Sequence, residues 1–456
     1  MFRRPRRYSI GYPYTLTVCV SLLSVVFGSL FLTPKTFAAE HRKTSSIQYA
    51  ALRLSADRLA GQVLAENAGL RARRFQAQAA EREIDVVNRF DDPTFSYAIA
   101  PQSINSDIGT RQIVQFSQPV PWPGKLDIEA DMSRARAKAA GYQVTDFQLS
   151  LIRQSRSLWS MWWYLHEALA VNEDNKQLLE ELQSVVSTQY AAGLGLQQDL
   201  LQVQTQQVHV HHQSVVIQQQ IKRLRAKING LQNVRPNAPL PRPERFPNIP
   251  TLPIRDTLID WLTVSHPGLK TLQAQSDVAA ASMRLADADD FPDLRLNATW
   301  NDLLEPYEKH LQLGVSVNLP FSFGRREANK SVQKSRFYSA NATLDDSRSQ
   351  LMAGLQSNLE LVDETAGIIH IYQTELIPKT RQTLEAAKAD YQAGRGEFAN
   401  VILAEQQLLN AQLDLAVSQR DNLDALAEIS MLTGGHYWPL LTDETATSGD
   451  TAHGDR

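Results

Sequence analysis

The sequence YAAGLG at residues 190–195 returns as YQAGRG at residues 391–396. A glycine after a long helix supplies the positive φ that ends the helix, and the next helix can then return antiparallel to it. The two motifs are therefore predicted to be the tips of two helical hairpins. A structural turn alone would explain them. A functional role is favoured by their predicted place, at the end of the helices that is far from the strands.

The two tips belong to an internal duplication with an offset of about two hundred residues. Other landmarks return in the same order, namely Pro93 as Pro292, Pro123-Gly124-Lys125 as Phe323-Gly324-Arg325, and Ala226, Ile228 and Leu231 as Ala427, Ile429 and Leu432. This period is far longer than the period of solenoid repeats. The sequence therefore predicts a twofold internal repeat, each half containing a helix, two strands, a very long helix, a turn and another long helix.

The proposed divisions follow from this repeat. They are a signal peptide at 1–38, a first repeat at 39–234, a connector at 235–253, a second repeat at 254–438 and a tail at 439–456. Seven prolines in the connector remove backbone donors, which predicts an extended segment. The polar, acidic tail is expected to be disordered.

The amino terminus has the features of an export signal. Four arginines within residues 3–7 precede an apolar stretch from about Leu16 to Leu32, and Thr36-Phe37-Ala38 offers small residues for cleavage before Ala39. A retained membrane anchor is the alternative, since the apolar stretch is nearly long enough to span. The only cysteine, Cys19, lies in this stretch, where bulky Val18 fits a lipoprotein signal poorly. Cleavage before Ala39 would leave a chain without thiols.

The amino-acid composition limits the kinds of molecule that this chain is expected to bind. The formal net charge is −3, and the sequence beyond the signal has no concentrated basic stretch, so nucleic acid is not an expected partner. No segment after Ala39 is apolar for long enough to be a transmembrane helix. Any contact with membrane lipid is therefore expected to be made by strands.

Four helices are predicted, at about 125–190, 197–231, 325–391 and 397–432. The two longest would each reach on the order of 100 Å at 1.5 Å per residue. Such lengths are typical of coiled coils. In the last helix, one line of apolar residues and one line of mostly small residues recur every seven positions: Val401, Leu408 and Leu415, and Ala404, Ala411, Ser418 and Ala425.

Four strands are predicted, two in each half. Apolar and polar residues alternate at 94–99, 294–301 and 311–319, whereas 111–118 alternates poorly and is predicted mainly because the repeat requires it. Alternation fits a soluble sheet with one face on a core. It also fits membrane strands of about 10 residues, apolar towards lipid and polar towards water. Export and the absence of a spanning helix favour membrane strands.

We find no motif for catalysis, and the chain is predicted not to be an enzyme and to hold no cofactor. The paired glycines of the tips lack the third glycine and the preceding strand of a dinucleotide site. His209 and His212 lie three residues apart on one helix and could share a metal, although a solvated helix face is the more common explanation. Trp159, Trp162 and Trp163 are interpreted as packing residues.

The order of elements, the duplication, the Tyr-x-Ala-Gly-x-Gly tips and the segment PVPWPGK at 119–125 resemble the TolC family of outer-membrane efflux channels. The resemblance extends from about Ile47 to Gly435. It implies a mostly α-helical homotrimer, in which long helical hairpins form a tunnel across the periplasm. Four strands from each chain would join in one shared barrel of twelve strands in the outer-membrane lipid.

The resemblance also implies roles for particular residues. The hairpin tips, Gly193-Leu194-Gly195 and Gly394-Arg395-Gly396, would dock the periplasmic adaptor protein of an inner-membrane pump. A periplasmic constriction would form near Asp199, Asn400, Leu403 and Glu405. Family members carry an acidic ring there, but Asn400 and Leu403 occupy the matching positions here. The Asp92-Pro93 opening and the Pro-Trp-Pro-Gly-Lys segment resemble the channels of heavy-metal resistance pumps.

Two other classes of protein share some of these features. A periplasmic coiled-coil spacer anchored at the outer membrane would explain the helices and the signal, but not four alternating strands in pairs. An adaptor protein would need a single hairpin flanked by soluble β domains, which the duplication contradicts.

Overall fold

The computed structural model describes residues 53–100, 111–246, 251–302, 310–319 and 323–439. All of them belong to one compact unit within Ala50–Arg456. The predicted signal peptide, Cys19, the cleavage site and the tail beyond residue 439 lie outside the described residues.

The described residues of the first half form four helices, α1 (Ala56–Glu66), α2 (Ala68–Val87), α3 (Lys125–Ala191) and α4 (Gln197–Leu231). Asn67 separates the first two, and its side chain accepts a hydrogen bond from the Leu70 amide at 2.9 Å, which caps α2. Helix α3 has 67 residues and so is about 100 Å long. The structure confirms the predicted bounds of α3 and α4 to within one residue.

The second half contains α5 (Arg255–Ser265), α6 (Pro267–Ala288), α7 (Phe323–Ile371), α8 (Ile377–Gln392) and α9 (Phe398–Leu432). The sequence predicted one continuous helix over 325–391. The structure confirms that the chain is helical throughout this range, but a π-helical turn at Tyr372–Leu376 divides the helix into α7 and α8. Pro378 follows the turn and has no N–H to donate to the preceding helical turn. No helix of the described residues has the combination of length and apolar character that a membrane crossing needs.

Four strands form one antiparallel sheet in chain order: β1 (Thr94–Ile99), β2 (Gln112–Val120), β3 (Leu294–Asn301) and β4 (Leu311–Val317). Strand β2 covers the segment that alternates poorly, so the expectation taken from the repeat is confirmed. The central pair, β2 and β3, joins the two halves of the chain through eight residue pairs from Ile113–Asn301 to Val120–Leu294.

The helices nearest the sheet form a row. Helix α2 packs on α3, α3 packs on α6, and α6 packs on α7. Towards the hairpin tips, α3 packs on α4 and α9, and α9 packs on α8. The row begins with the helix that leads into β1 and ends with the helix that follows β4, so the helices and strands have the same order.

The main core lies halfway along α3, where the connector returns to the start of the described chain. The indole of Trp159 donates a hydrogen bond to the Leu54 carbonyl at 2.6 Å, and the indole of Trp162 donates to the Pro241 carbonyl at 3.1 Å. Leu54 and Pro243 form a parallel bridge. All three tryptophans are buried. They pack and hold the connector, as the sequence interpretation expected.

Candidate functional site

Both hairpin tips have the same backbone hydrogen bonds. At the first tip, the amides of Leu194 and Gly195 donate to the Gln189 carbonyl at 2.9 and 3.1 Å. At the second, the amides of Arg395 and Gly396 donate to the Asp390 carbonyl at 2.9 and 3.2 Å. These bonds satisfy carbonyls that the end of a helix leaves without partners.

The two glycines of each tip are needed for different reasons. Gly193 has φ +74° and Gly394 has φ +70°, a conformation that residues with a Cβ rarely adopt. At Gly195 a Cβ would lie 3.2 Å from the Tyr190 amide nitrogen, and at Gly396 it would lie 3.4 Å from the Tyr391 nitrogen. The sequence prediction of positive φ therefore applies to the first glycine of each pair, whereas the second allows a close approach of the backbone.

The surfaces of the two tips differ in chemistry. Leu194 and Leu196 are 79% and 65% exposed, so the first tip presents apolar side chains to solvent. At the second tip, Arg395 donates to the Asp390 carboxylate at 3.1 Å, and Glu397 is exposed. The first tip therefore offers an apolar contact, and the second offers a charged one.

The four residues of the predicted constriction do not share one environment. Asn400 and Leu403 are exposed on one face of α9, and Leu403 is 54% exposed. Asp199 and Glu405 are only 8% and 1% exposed, because they lie between helices of the same chain. Asn400 and Leu403 are therefore on the surface of the single chain, whereas Asp199 and Glu405 are buried inside it.

Asp199 connects the two hairpins. The hydroxyl of Tyr391, at the end of α8, donates to the Asp199 carboxylate at 3.1 Å. Burial, followed by the negative charge of Asp199 and this hydrogen bond, raises the pKa of Tyr391 to about 12. The Tyr391 ring packs on the ring of Phe398 at 5.1 Å between centroids. No sequence motif predicts this contact, because its partners are 192 positions apart in the chain.

Glu405 lies deeper in the same interface. Its carboxylate accepts a hydrogen bond at 2.6 Å from the Asn175 side chain of α3. Burial raises the pKa of Glu405 above its ordinary value, although hydrogen bonds from Asn175 and Gln206 oppose the rise. Glu405 is therefore a buried polar link between the hairpins.

The candidate metal ligands His209 and His212 are both exposed on α4. Within the described residues, no group of three or more histidine, cysteine, aspartate or glutamate side chains is arranged to hold a metal ion. Two exposed histidines without a third ligand fit a solvated helix face.

At the other end of the molecule the sheet has two chemically different faces. The strand register places mostly apolar residues on one face of the sheet: Phe95, Tyr97, Ile99, Val114, Phe116, Leu294, Leu296, Ala298, Trp300, Leu311, Leu313, Val315 and Val317. Gln112 and Gln118 of β2 are polar exceptions on this face. Leu313 is 79% exposed and Phe95 is 68% exposed, so this face is uncovered in the single chain. A contiguous exposed apolar surface of this kind marks contact with lipid or protein.

The opposite face of the sheet is polar. A chain of hydrogen bonds runs across three strands, in which Ser117 donates to Asn297 and Asn297 donates to Ser316, both at 2.7 Å. Ala98 and Ile113 are apolar exceptions on this face. A sheet with one apolar and one polar face can separate lipid from water.

A buried lysine fixes the junction between sheet and helices. Lys125 is 6% exposed, and its Nζ lies 2.9 Å from Asp293 and 3.2 Å from Asp289. The Trp122 amide donates to the same Asp293 carboxylate at 3.0 Å. The segment that ends in Lys125 was singled out in the sequence, but its partners lie in the other half of the chain and could not be foreseen.

Comparisons with known proteins agree with this geometry. Residues 258–435 match the family model described as outer membrane efflux protein. No curated protein sequence matches the chain. Three similar solved structures are the outer-membrane channel OprN, the outer membrane protein VceC of Vibrio cholerae, and CusC, whose structures concern folding and transmembrane channel formation.

These structures have low sequence identity to this chain but the same fold over most of its length. OprN is 18% identical with a TM-score of 0.72, and the match covers 84% of this chain and 90% of OprN. VceC is 19% identical with a TM-score of 0.70 and coverage of 83% and 96%. CusC is 15% identical with a TM-score of 0.72 and coverage of 83% and 92%.

The matching family and the structural neighbours are channel proteins rather than enzymes, in agreement with the prediction of no catalytic activity. The described residues are mostly helical with one four-stranded sheet, and this fold matches the three channel structures with TM-scores of 0.70 to 0.72. The resemblance of this sequence to the TolC family of outer-membrane efflux channels is thus confirmed, by the family model over residues 258–435 and by the fold over most of the chain.

Proposed function

We propose that this chain is the outer-membrane channel subunit of a tripartite efflux system. In this proposal its sheet lies in the outer membrane and its helices extend through the periplasm, after export by the signal at residues 1–38. The carrying observation is the two-faced sheet, which is apolar and exposed on one side and polar on the other. Such a sheet can contact lipid with its apolar face and water with its polar face.

The proposed assembly is a homotrimer with one shared barrel. Each chain supplies four described strands, and β1 and β4 each pair with only one other described strand. Open edges in lipid leave backbone groups without hydrogen bonds, at several kcal/mol each. Two chains would close about eight strands, a size that side chains fill, whereas three close about twelve and leave a water-filled bore. Within each chain, the two halves are proposed to be structural repeats.

The hairpin tips are proposed to dock a periplasmic adaptor that leads to an inner-membrane pump. Both lie at the end of the long helices away from the sheet, and they carry the exposed residues Leu194 and Arg395. Heavy-metal cations are the proposed substrate class, because the Asp92-Pro93 and Pro-Trp-Pro-Gly-Lys segments resemble those of the channels of heavy-metal resistance pumps. Loss of metal tolerance on deletion of the gene, with drug tolerance unchanged, would support this class, and the reverse would exclude it.

Two neighbouring residues of β4 offer a sharp test, because they lie on opposite faces of the sheet. Leu313 pairs with Ala298 on the apolar face, and Gln312 pairs with Thr299 on the polar face. A lysine facing mid-membrane lipid costs about 2–4 kcal/mol, whereas a lysine facing water costs little. Leu313→Lys is therefore expected to prevent membrane insertion, and Gln312→Lys is expected to insert and alter ion selectivity.

The measurements are heat-modifiable migration of the membrane fraction on a gel and single-channel conductance. The wild type should migrate differently before and after boiling, and it should conduct. A periplasmic coiled-coil spacer would not conduct in any variant. Equal behaviour of Leu313→Lys and Gln312→Lys, with no channel activity in the wild type, would exclude the proposed function.

A further inference from the structure

Exposed basic residues lie where the end of α4 continues into the connector. Six exposed cations belong to these two segments: Lys222, Arg223, Lys227, Arg235, Arg242 and Arg245. Between positions 222 and 245 the one acidic residue is Glu244, and its side chain is half-buried. The cations are too widely spaced to form a dense basic run in the sequence, yet the fold leaves all six of them on the surface.

The fold adds two cations from the start of the described chain. The Leu54 amide donates to the Arg242 carbonyl at 2.9 Å, and the Glu244 amide donates to the Leu54 carbonyl at 3.0 Å. Arg53 is the residue before this bridge, and the Arg58 guanidinium donates to the Arg53 carbonyl at 2.8 Å. Both arginines are exposed. Together with the six residues of α4 and the connector they form the basic surface.

Contacts inside the chain leave the charge of the basic surface uncompensated. None of its eight cations makes an ion pair with another described residue. Asp57, close by on α1, is already paired with Arg156 at 2.8 Å. The other carboxylates on the neighbouring parts of α1, α3 and the connector are Glu66, Glu167 and Glu244. Positive charge therefore predominates on the basic surface.

The fold itself does not require cations at these positions. In the second half, Asp424 and Glu428 of α9 stand where α4 has Arg223 and Lys227. Both acidic residues contact α3, because α9 is packed among other helices, whereas α4 packs mainly on α3. The same helical position thus carries opposite charges in the two halves. A cation that the fold does not need, on an exposed helix, favours a role in binding.

A contact with α3 gives the height of the basic surface. The Trp162 indole donates to the carbonyl of Pro241, the residue before Arg242. At 1.5 Å per residue, Trp162 lies about 55 Å along α3 from Lys125, which is at the junction with the sheet, and about 44 Å from Ala191, at the first tip. The basic surface therefore lies near the middle of the long helices, far from both of their ends.

This height excludes two partners. Charges in water are screened over about 8 Å at physiological ionic strength, so lipid headgroups beside the sheet are too far away to bind these cations. An adaptor that docks at the tips is also remote. If the sheet lies in the outer membrane, as proposed above, the basic surface lies within the periplasm, so this inference rests on the proposed function.

The chemistry of the basic surface fits an acidic polymer better than a folded protein. Val234, at 44% exposure, is the one large apolar side chain that is exposed within the described residues 222–246. Interfaces between proteins usually have an apolar core, which is missing here. Exposed arginine and lysine side chains bind carboxylates through charge-assisted hydrogen bonds. Cations spread along an extended connector suit a polymer that carries its carboxylates at intervals.

We propose that the basic surface binds the carboxylate-bearing peptide stems of peptidoglycan and so attaches the channel to the cell wall. Peptidoglycan lies between the outer and inner membranes, and its peptide stems have free carboxylates. The attachment is electrostatic, so it weakens as the salt concentration rises. It needs no change in the sheet or in the hairpin tips, because both are remote from the basic surface.

Cosedimentation with protein-free peptidoglycan sacculi tests the proposal. The full-length channel in detergent is expected to sediment with the sacculi, and less at high salt than at low salt. Arg235→Gln with Arg242→Gln and Arg245→Gln removes three cations that make no ion pair in the chain. This connector variant is expected to conduct as the wild type does, but its ratio of bound to free protein should fall by on the order of tenfold.

The matched control removes the same amount of charge elsewhere. Lys334→Gln with Arg336→Gln and Arg381→Gln changes three exposed cations of α7 and α8, and it should sediment as the wild type does. A second control changes the polymer. Amidation of the stem carboxylates should abolish sedimentation of the wild type, because it removes the negative charges that the basic surface binds.

The possible outcomes separate this inference from the proposed function. A wild type that conducts but does not sediment, a connector variant that sediments equally well, or undiminished sedimentation with amidated sacculi would overturn the attachment and leave the channel function standing. Sedimentation that appears only after deletion of residues 440–456 would also overturn it, because the acidic tail would then be the occupant of the basic surface. A chain that neither conducts nor enters the membrane would overturn both.

Discussion

The tips of the two hairpins in this chain have the same backbone conformation, but the side chains on their surfaces differ. Their tips have equivalent hydrogen bonds, formed by Leu194 with Gln189 and by Arg395 with Asp390. Yet α3 is α-helical along its whole length up to the first tip, whereas the helix that leads to the second tip contains a π-helical turn between α7 and α8. The comparison teaches that the glycines fix the turn, while the residues between and beyond them are free to differ.

The comparison extends into the helices that leave the tips. At equivalent positions, Gln197 and Gln204 of α4 are exposed, whereas Phe398 and Glu405 of α9 are buried. Helix α9 packs on α3, α7 and α8, and α4 packs mainly on α3. The same position along the chain therefore has a different environment in each half, and four sets of variants can test the effect of this difference.

The largest effect is expected at the tip glycines. Gly193→Val with Gly394→Val forces a β-branched residue into positive φ, at a cost on the order of 1–3 kcal/mol for each site. We expect loss of efflux with normal insertion into the membrane, because the sheet is remote. The readouts are growth in the presence of the substrate and the amount of protein in the outer membrane.

The matched control for the tips is Gly61→Ala, since Gly61 lies in α1 and an added Cβ meets nothing within 4 Å. It should preserve efflux. The single variants sharpen the comparison, because unequal losses would show that the apolar and the charged tip have different tasks. Normal efflux in the double variant would exclude the tips as the docking site.

A second variant copies a residue from the first half into the second. Asn400→Asp places at the exposed position of α9 the residue that its equivalent, Asp199, has in α4. In the proposed trimer, three added carboxylates near the pore axis are expected to tighten block by a multivalent cation by on the order of tenfold, which is about 1.4 kcal/mol. The measurement is single-channel block as a function of cation concentration.

Asn410→Asp is the control for position, since residue 410 is exposed on the same helix and lies about 15 Å further from the tip. Its effect on block should be smaller. If both variants block alike, Asn400 does not lie in the constriction.

A third pair of variants separates the two tip tyrosines. Tyr391→Phe removes the buried hydrogen bond to Asp199, whereas Tyr190→Phe changes a residue that is 47% exposed. Loss of a buried hydrogen bond is expected to cost about 1–3 kcal/mol. Hydrogen exchange near the second tip should therefore quicken in Tyr391→Phe and stay unchanged in Tyr190→Phe. Equal rates in the two variants would mean that the bond contributes nothing.

The smallest effect is expected at Glu405, where the equivalent first-half residue is Gln204. Burial raises the pKa of Glu405 in the folded chain. A carboxyl group of this kind stabilises the fold below its unfolded pKa, and this contribution is lost as pH rises through the folded pKa. Glu405→Gln should therefore raise the melting temperature at pH 8 and change it little at pH 4. A stabilisation that is the same at both values would contradict the assignment.

The sequence predicted the elements better than their environments. Helical periodicity and the tip glycines placed both ends of α3 and α4 to within one residue. The sequence of strand β2 shows no clear alternation of apolar and polar residues, because Gln112 and Gln118 lie on its apolar face and Ile113 lies on its polar face. No local pattern reports whether a residue is buried against its own chain, so the sequence alone does not distinguish the buried Asp199 and Glu405 from the exposed Asn400 and Leu403.

The π-helical turn lies in the part of the second half that is one residue longer than the equivalent part of the first half. Gly124 and Gly324, before the long helices, differ by 200 in number, whereas Gly193 and Gly394, at the tips, differ by 201. The second half therefore has one residue more between these points, and a π-helical turn is the form that a single inserted residue takes inside an α-helix. Tyr372–Leu376 lies within this interval. If the two halves are structural repeats, as proposed, this turn accommodates the one additional residue, so that the tip glycines keep equivalent positions at the end of the helix.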